Sequence, residues 1–246
     1  MVQSPLSSKT GKPKVIAAIP CFNTESSIKE LIVSAQEYVD QVVVVDDGSH
    51  DGTATAARAA GAFVQSHGKN GGYGEALKSC FAAAISHSAD VLVILDGDGQ
   101  HNPDEIPKLI APVVNEEADL VIGSRFLQPA RQTSMPRYRA FGINVITFLF
   151  NTTSRRKVSD AQSGYRAYSK RIFDDFVLTE KGMGISIETL EEAIKKEAGI
   201  KEVSISCLYV QKGLDWKAVK HGLGVALSVI RIRFKNGLLA RIKNNR

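Results

Sequence analysis

The chain reads as an α/β protein built on a Rossmann-like, doubly wound and mostly parallel central sheet flanked by helices. Three observations predict this. Short apolar runs recur through the first half, stretches of helix length separate them, and each run ends in residues suited to polar ligands. Runs this short and this apolar fit strands buried on both faces of a parallel sheet. Regular alternation with helices is the pattern of layered α/β architecture.

The elements follow in order. Residues 15–19 form a compact apolar run ending at Pro20, and a helix is expected over about 25–39. Residues 42–45 are four consecutive valines ending in Asp46-Asp47-Gly48, and a helix over 53–60 stops at Gly61. The next helix spans 75–87. Residues 91–95 then end in Asp96-Gly97-Asp98-Gly99, and Pro103 precedes a helix over 104–114. Residues 120–122 end in Gly123-Ser124-Arg125. Serine, proline and glycine at these borders are ordinary helix punctuation. Beyond Arg125 the alternation loosens. Residues 126–140 read as a loop, 141–150 are apolar, 152–160 are polar and basic, 186–198 make a helix, and a strand lies near 203–210.

Composition bounds the classes. A chain of 246 residues with a 43% hydrophobic share and 23% charged residues is globular, neither disordered nor fibrous. Cys21, Cys80 and Cys207 are too few and scattered for a disulfide framework or zinc site, which predicts a reducing, cytoplasmic setting. The polar first fourteen residues do not look like a secretory leader, and no apolar run reaches the roughly 18 residues of a membrane span. The net charge of +5 is unevenly spread. No acid follows Asp215, where eight Lys or Arg occur, so residues 1–215 carry 23 bases against 26 acids. Residues 125–171 hold ten bases and one acid, Asp160. The expected organisation is a flexible 1–13, a folded domain over 14–215, and a basic amphipathic tail over 216–246.

Asp96-Gly97-Asp98 is the sharpest motif. Two carboxylates at a strand end suit a hard cation, Mg2+ or Mn2+, whose shell is completed by phosphate and water, with Gln100 as a further oxygen. An EF-hand is excluded, because its sixth and twelfth positions hold His101 and Pro107. Asp46 and Asp47 end another strand, where acids can bind a base edge or ribose hydroxyls; the plain alternative is a solvated turn. Asn70-Gly71-Gly72-Tyr73-Gly74-Glu75-Ala76 is a glycine-rich helix entry that is neither a Walker loop nor a dinucleotide fingerprint, and it either admits a nucleotide closely or is a loose loop.

With Ile19-Pro20-Cys21-Phe22-Asn23-Thr24-Glu25, Gly123-Ser124-Arg125 and Asp160-Ala161-Gln162-Ser163-Gly164-Tyr165-Arg166-Ala167, these motifs occur in an order that resembles the family-2 inverting glycosyltransferases. Among these the dolichyl- and polyprenyl-phosphate mannose or glucose synthases are the most similar. The resemblance covers about residues 14–215. It implies a GT-A fold, a nucleotide-diphosphate sugar donor (GDP-mannose or UDP-glucose), a polyprenyl or dolichyl phosphate acceptor and a divalent cation. It places Pro20, Phe22, Glu25, Asp46 and Asp47, with the glycine loop at Gly74, around the nucleotide. It gives the metal to Asp96, Asp98 and Gln100, and the phosphates to Arg125, Arg139, Lys217 and Lys212. Asp160, Gln162, Ser163 and Glu188 fall on the donor-sugar side. Thr24 departs from the family, which often has a glutamate there, and so does Trp216, where a small polar residue is usual.

The chemistry is coherent. A lipid phosphate is already anionic, so no general base is needed, and none of the five scattered histidines stands out. The basic 125–171 segment reads as an electropositive cleft for anionic substrates. Residues 141–150 are either a core helix or an interfacial helix with basic flanks, and the tail suits an anionic membrane surface or the protein's own body. Together these predict a peripheral enzyme at the cytosolic membrane face. Nucleic acid is not an expected partner, since aromatic residues among the tail's bases are few. The rivals are a relative with a saccharide hydroxyl acceptor, where Glu188 or a neighbour would serve as base, and a catalytically silent nucleotide-binding module.

Overall fold

The computed structural model describes residues 11–128 and 135–209. Lys212, Lys217 and the basic tail lie outside the described residues. Within them, β1 (Val15–Cys21), α1 (Glu25–Ala35), β2 (Gln41–Asp46), α2 (Thr53–Ala59), β3 (Phe63–Ser66), α3 (Tyr73–Ser86) and β4 (Val91–Ile94) build the first half. A 3-10 turn (Pro103–Glu105), α4 (Ile106–Val114), β5 (Leu120–Ser124), α5 (Arg137–Thr153), β6 (Arg166–Ser169), α6 (Lys170–Phe173), α7 (Ile185–Lys195) and β7 (Ile200–Ser204) follow.

The seven strands run in the order β3-β2-β1-β4-β6-β5-β7. All pairs are parallel except those of β6, which is antiparallel to both β4 and β5. Alternate residues of each strand feed two cores. Ile16, Ala18, Leu92, Ile94 and Ile122 pack under α3, α5 and α7, against Leu77, Phe81, Ile146, Phe150 and Leu190. Val15, Ala17, Ile19, Val93 and Val121 pack under α1 and α4, against Ile28, Ile32, Ile106 and Leu109. Burial on both faces explains why these strands carry no polar alternation.

Four strands and the helices between them lie where the sequence predicts, to within a few residues at their ends. The first helix stops at Ala35 rather than 39, and the final strand occupies Ile200–Ser204 rather than 203–210. Two strands are new. β3 is a half-exposed edge with Phe63 facing out, and β6 begins on a charged residue. That residue, Arg166, is 1% exposed. It donates to the Ser186 and Ala161 carbonyls, both at 2.8 Å, and to Thr189 Oγ1 at 2.9 Å, tying β6 to α7.

Asp119, just before β5, fastens the far side of the sheet. Its carboxylate accepts from Arg171 Nε at 2.6 Å, Ser169 Oγ at 3.1 Å and the Gly199 N–H at 2.8 Å. The Arg171 hydrogen bonds, aided by that amide, hold its carboxyl below the usual range. A lowered folded value stabilises the fold above the ordinary carboxylate pKa of about 3.9 and ceases to do so as pH falls through it. Asp119→Asn should therefore lower the urea midpoint at pH 7, and the gap to wild type should narrow as pH falls beneath the ordinary carboxylate range and through the lowered folded value.

Candidate active site

The carboxyl ends of β1, β2, β4 and β5 open on one side of the sheet, the place where open α/β sheets bind ligands. The loops after β1 and β2 are laced together there. Asn23 N donates to Ser49 Oγ and His50 N to Asn23 Oδ1, both at 2.9 Å. Thr24 N donates to Thr53 Oγ1 at 2.8 Å, and the Glu25 carboxylate accepts the Gly52 N–H at 2.9 Å. Gly52 has no room for a Cβ beside that carboxylate. Pro20 is buried, whereas Phe22 is exposed and meets the His50 ring edge-on at 6.2 Å.

The two acids at the end of β2, Asp46 within it and Asp47 just after, divide their work. Asp46 is buried and accepts from Ser49 N at 3.1 Å. Asp47 is buried as well, and all its partners are internal: Gly71 N at 2.9 Å, Gly72 N at 2.8 Å and His67 Nδ1 at 2.6 Å. His67 Nε2 in turn meets Ser79 Oγ at 2.9 Å. Asp47 thus shapes the glycine loop. Gly72, at φ 91°, turns the chain into α3, and Gly74 packs on Lys181 and Glu180, its N–H reaching the Lys181 carbonyl at 2.9 Å. That neighbouring segment is set by Glu188, whose carboxylate accepts from Thr179 N, Thr179 Oγ1 and Glu180 N at 2.7–2.9 Å.

After β4 stand the paired acids. Asp96 accepts from Tyr73 Oη at 3.0 Å, and its backbone N–H donates to His101 Nδ1 at 3.2 Å. Burial raises its carboxyl, against the Tyr73 hydrogen bond. Gly164 lies against this carboxylate, and a Cβ there would stand 2.7 Å from Oδ2. Asp98 is exposed and accepts from Gln100 N at 3.0 Å and Gln100 Nε2 at 2.6 Å. The Gln100 oxygen faces Cys207 Sγ at 3.9 Å. His101 is buried against Tyr165, ring centroids 4.9 Å apart, and burial pushes its pKa down to about 4. At neutral pH it is an uncharged acceptor for the Asp96 amide. Among the described residues no group of three or more His, Cys, Asp or Glu side chains gathers around one point. Two carboxylates still fit a hard cation that takes its remaining oxygens from phosphate and water.

Beside them lies a buried ion pair. Arg125 engages Asp160 at both ends, Nε to Oδ2 at 2.7 Å and Nη2 to Oδ1 at 3.0 Å, and donates from Nη1 to Tyr209 Oη at 2.9 Å. Asp160 is fully buried and Arg125 12% exposed. Burial pulls the Arg125 guanidinium down, but the Asp160 charge outweighs it and keeps it protonated. Arg139, from α5, sits over the Tyr209 ring at 5.8 Å. Gln162 N donates to Asp160 at 3.2 Å, and buried Ser163 accepts from Tyr165 N at 3.3 Å.

The structure therefore gathers Asp96, Asp98, Gln100, Arg125, Arg139 and Asp160 in one cluster and Phe22, Glu25, Asp46 and Asp47 in a second. The carboxylates of Asp47 and Glu188 face into the protein. Tyr73, His101 and Tyr209 were not singled out by the sequence, although Tyr73 and His101 fall inside motifs that were.

Residues 16–177 match the family described as Glycosyl transferase family 2. A UDP-N-acetylglucosamine–dolichyl-phosphate N-acetylglucosaminyltransferase of Methanococcus voltae is 31% identical over 78% of this chain and 85% of its own. An undecaprenyl-phosphate mannosyltransferase of Micrococcus luteus is 29% identical over 93% and 96%. Glucosyl-3-phosphoglycerate synthase from Mycobacterium tuberculosis, solved with Mn2+, uridine diphosphate and phosphoglyceric acid, superposes with a TM-score of 0.69 at 23% identity, covering 89% of this chain and 78% of that one. This last likeness is one of fold, and it bears out the expected GT-A architecture.

Removing one partner of a buried, hydrogen-bonded pair leaves the other charge uncompensated. Asp160→Ala should lower the unfolding free energy by about 3–5 kcal/mol in urea titrations. Asp160→Ala with Arg125→Met should cost less than the two single losses combined, and simple additivity would contradict the pairing.

Proposed function

The chain belongs to glycosyl transferase family 2, and from that premise we propose that it moves one sugar, mannose or glucose, from a nucleotide-diphosphate sugar to a polyprenyl or dolichyl phosphate. The transfer is inverting and uses Mg2+ or Mn2+, and the enzyme works peripherally at the cytosolic membrane face. The observation that carries this reading is the juxtaposition of Asp96 and Asp98 with the Arg125–Asp160 pair at the strand ends, close enough for the Arg125 charge to act on the Asp96 carboxylate. Relatives named for dolichyl- and undecaprenyl-phosphate acceptors support the acceptor class.

In this reading Phe22, Glu25 and Asp46 bind the base and ribose, with GDP-mannose or UDP-glucose as donor. Asp47 acts through the glycine loop it holds, bringing Gly71, Gly72 and Gly74 against the nucleotide. Asp96 and Asp98, with Gln100, would hold the cation. When bound, the cation neutralises charge developing on the leaving diphosphate. An acceptor phosphate oxygen attacks the anomeric carbon as the bond to the diphosphate breaks, and Arg139, Lys212 and Lys217 attract the acceptor. Gln162 and Ser163 border the donor sugar, and the Arg125–Asp160 pair fixes the floor.

The carboxylates nearby favour this acceptor over a saccharide hydroxyl. A hydroxyl needs a base to take its proton. Asp160 is engaged by Arg125, Glu188 by Thr179 and Glu180, and His101 by the Asp96 amide. A phosphate acceptor needs none of them.

Incubation of the protein with GDP-mannose or UDP-glucose, Mg2+ or Mn2+, and a short polyprenyl phosphate should yield a lipid-linked sugar from one of these donors. A free sugar acceptor should yield nothing. Asp98→Ala should reduce turnover about 100-fold or more with the fold intact by circular dichroism. Undiminished turnover would remove the metal assignment, and transfer only to the free sugar would remove the acceptor assignment.

A further inference from the structure

The glycine loop that enters α3 is held through its backbone. Residues 68–71 are exposed, and Gly68, Gly71 and Gly72 bring no side chain that could anchor the stretch. Left to itself such a backbone takes many conformations. Gly48 confines it from one side, so closely that a Cβ there would stand 2.6 Å from the Lys69 carbonyl carbon. From another side the Asp47 carboxylate takes the Gly71 and Gly72 N–H groups at 2.9 and 2.8 Å. A carboxylate on a rotatable side chain fixes a loop only as firmly as it is itself fixed.

His67 does the fixing. Its Nδ1 lies 2.6 Å from Asp47 Oδ1. Both carboxylate oxygens already accept from glycine amides, so Nδ1 is the donor, and Nε2 is left facing Ser79 Oγ at 2.9 Å. The His67 backbone is tied as well, its N–H donating to the Asp46 carbonyl at 2.8 Å. Ser79 belongs to α3, the helix that the glycine loop enters. The contacts therefore close a ring, from the loop through Asp47, His67 and Ser79 and back along α3 to the loop. Serine, histidine and aspartate in this order have the outline of a nucleophilic triad. Ser79, however, stands in the middle of α3, where the neighbouring amides are engaged by helix carbonyls and cannot receive an oxyanion. The ring orients rather than reacts.

We infer that His67 is a positioning residue for nucleotide binding: by holding Asp47 Oδ1 it fixes the Gly71–Gly72 backbone against which a nucleoside diphosphate lies. The inference rests on the role proposed for the glycine loop, but binding of a nucleoside diphosphate is measured without any turnover. Asp96 and Asp98 follow β4, and Arg139 lies on α5. Loss of His67 leaves those groups in place, so it acts on donor affinity rather than on the chemical step.

The test uses the full chain, UDP and GDP with Mg2+, and isothermal titration. His67→Ala should weaken binding of the nucleoside diphosphate that wild type prefers by about tenfold. KM for the matching sugar donor should rise alike, with kcat within about twofold of wild type. An asparagine amide nitrogen stands where Nδ1 does, and a glutamine amide nitrogen where Nε2 does. His67→Asn should therefore recover most of the affinity, and His67→Gln should not. Amide hydrogen exchange at Gly71 and Gly72 should quicken in the Ala and Gln variants and stay slow in the Asn variant. Ser79→Ala leaves the Asp47 contact in place and should weaken binding only about threefold. Thermal melting confirms that each variant is folded, and the Asn and Gln pair carries the same comparison if His67→Ala unfolds. Wild-type affinity in His67→Ala overturns the inference, and so does recovery by Gln instead of Asn. Equal falls in kcat and affinity in every variant, or a wild type that binds neither nucleoside diphosphate, overturn it too. Nucleotide binding with the expected Asn and Gln pattern, but no sugar transfer to any acceptor, removes the proposed reaction and leaves the positioning role standing.

Discussion

The bidentate contact between Arg125 and Asp160 is the constraint on which the rest of the site hangs. It joins the end of β5 to the turn that leads into β6, and through Tyr209 it reaches the segment after β7. A carboxylate as deeply buried as Asp160 persists only with a partner that satisfies both oxygens, so geometry and charge are fixed together. The turn from Asp160 to Arg166 then lies where Gly164 meets the Asp96 carboxylate and Arg166 reaches α7. Local order here is inherited from one ion pair.

How much of this the sequence reveals depends on how each residue is satisfied. Strands β1, β2, β4 and β5 are legible because both faces are buried and the apolar run is unbroken. β3 and β6 are not, because β3 is a partly exposed edge and β6 opens on a buried arginine that composition alone assigns to the surface. The paired acids after β4 are legible as acids at a strand end. What escapes is partnership: nothing in the local sequence shows that Asp47 spends its oxygens on Gly71, Gly72 and His67, or that Glu188 supports residues 179 and 180. Such contacts join positions that only the fold brings together.

The ten bases of residues 125–171 illustrate the same point. Counted in sequence they suggest one electropositive cleft, yet they divide into separate populations. Arg125 and Arg166 are spent inside the protein, Arg171 on Asp119 and Lys170 on Asp174. Arg139 stays with the cluster, and Arg137, Arg155, Arg156 and Lys157 stand outside it on and after α5. Arg131 lies outside the described residues.

Gly164 carries a consequence of its own. The position is half-exposed, and by accessibility alone it should tolerate many residues. Yet even alanine would press on Asp96 Oδ2 and on the Tyr73 hydroxyl that holds this carboxylate. In a library varied at every position, 164 should therefore be as depleted of survivors as a core position when selection is for activity, and far less so when selection is for solubility. The contrast would separate residues that keep the chain folded from those that keep a carboxylate aimed.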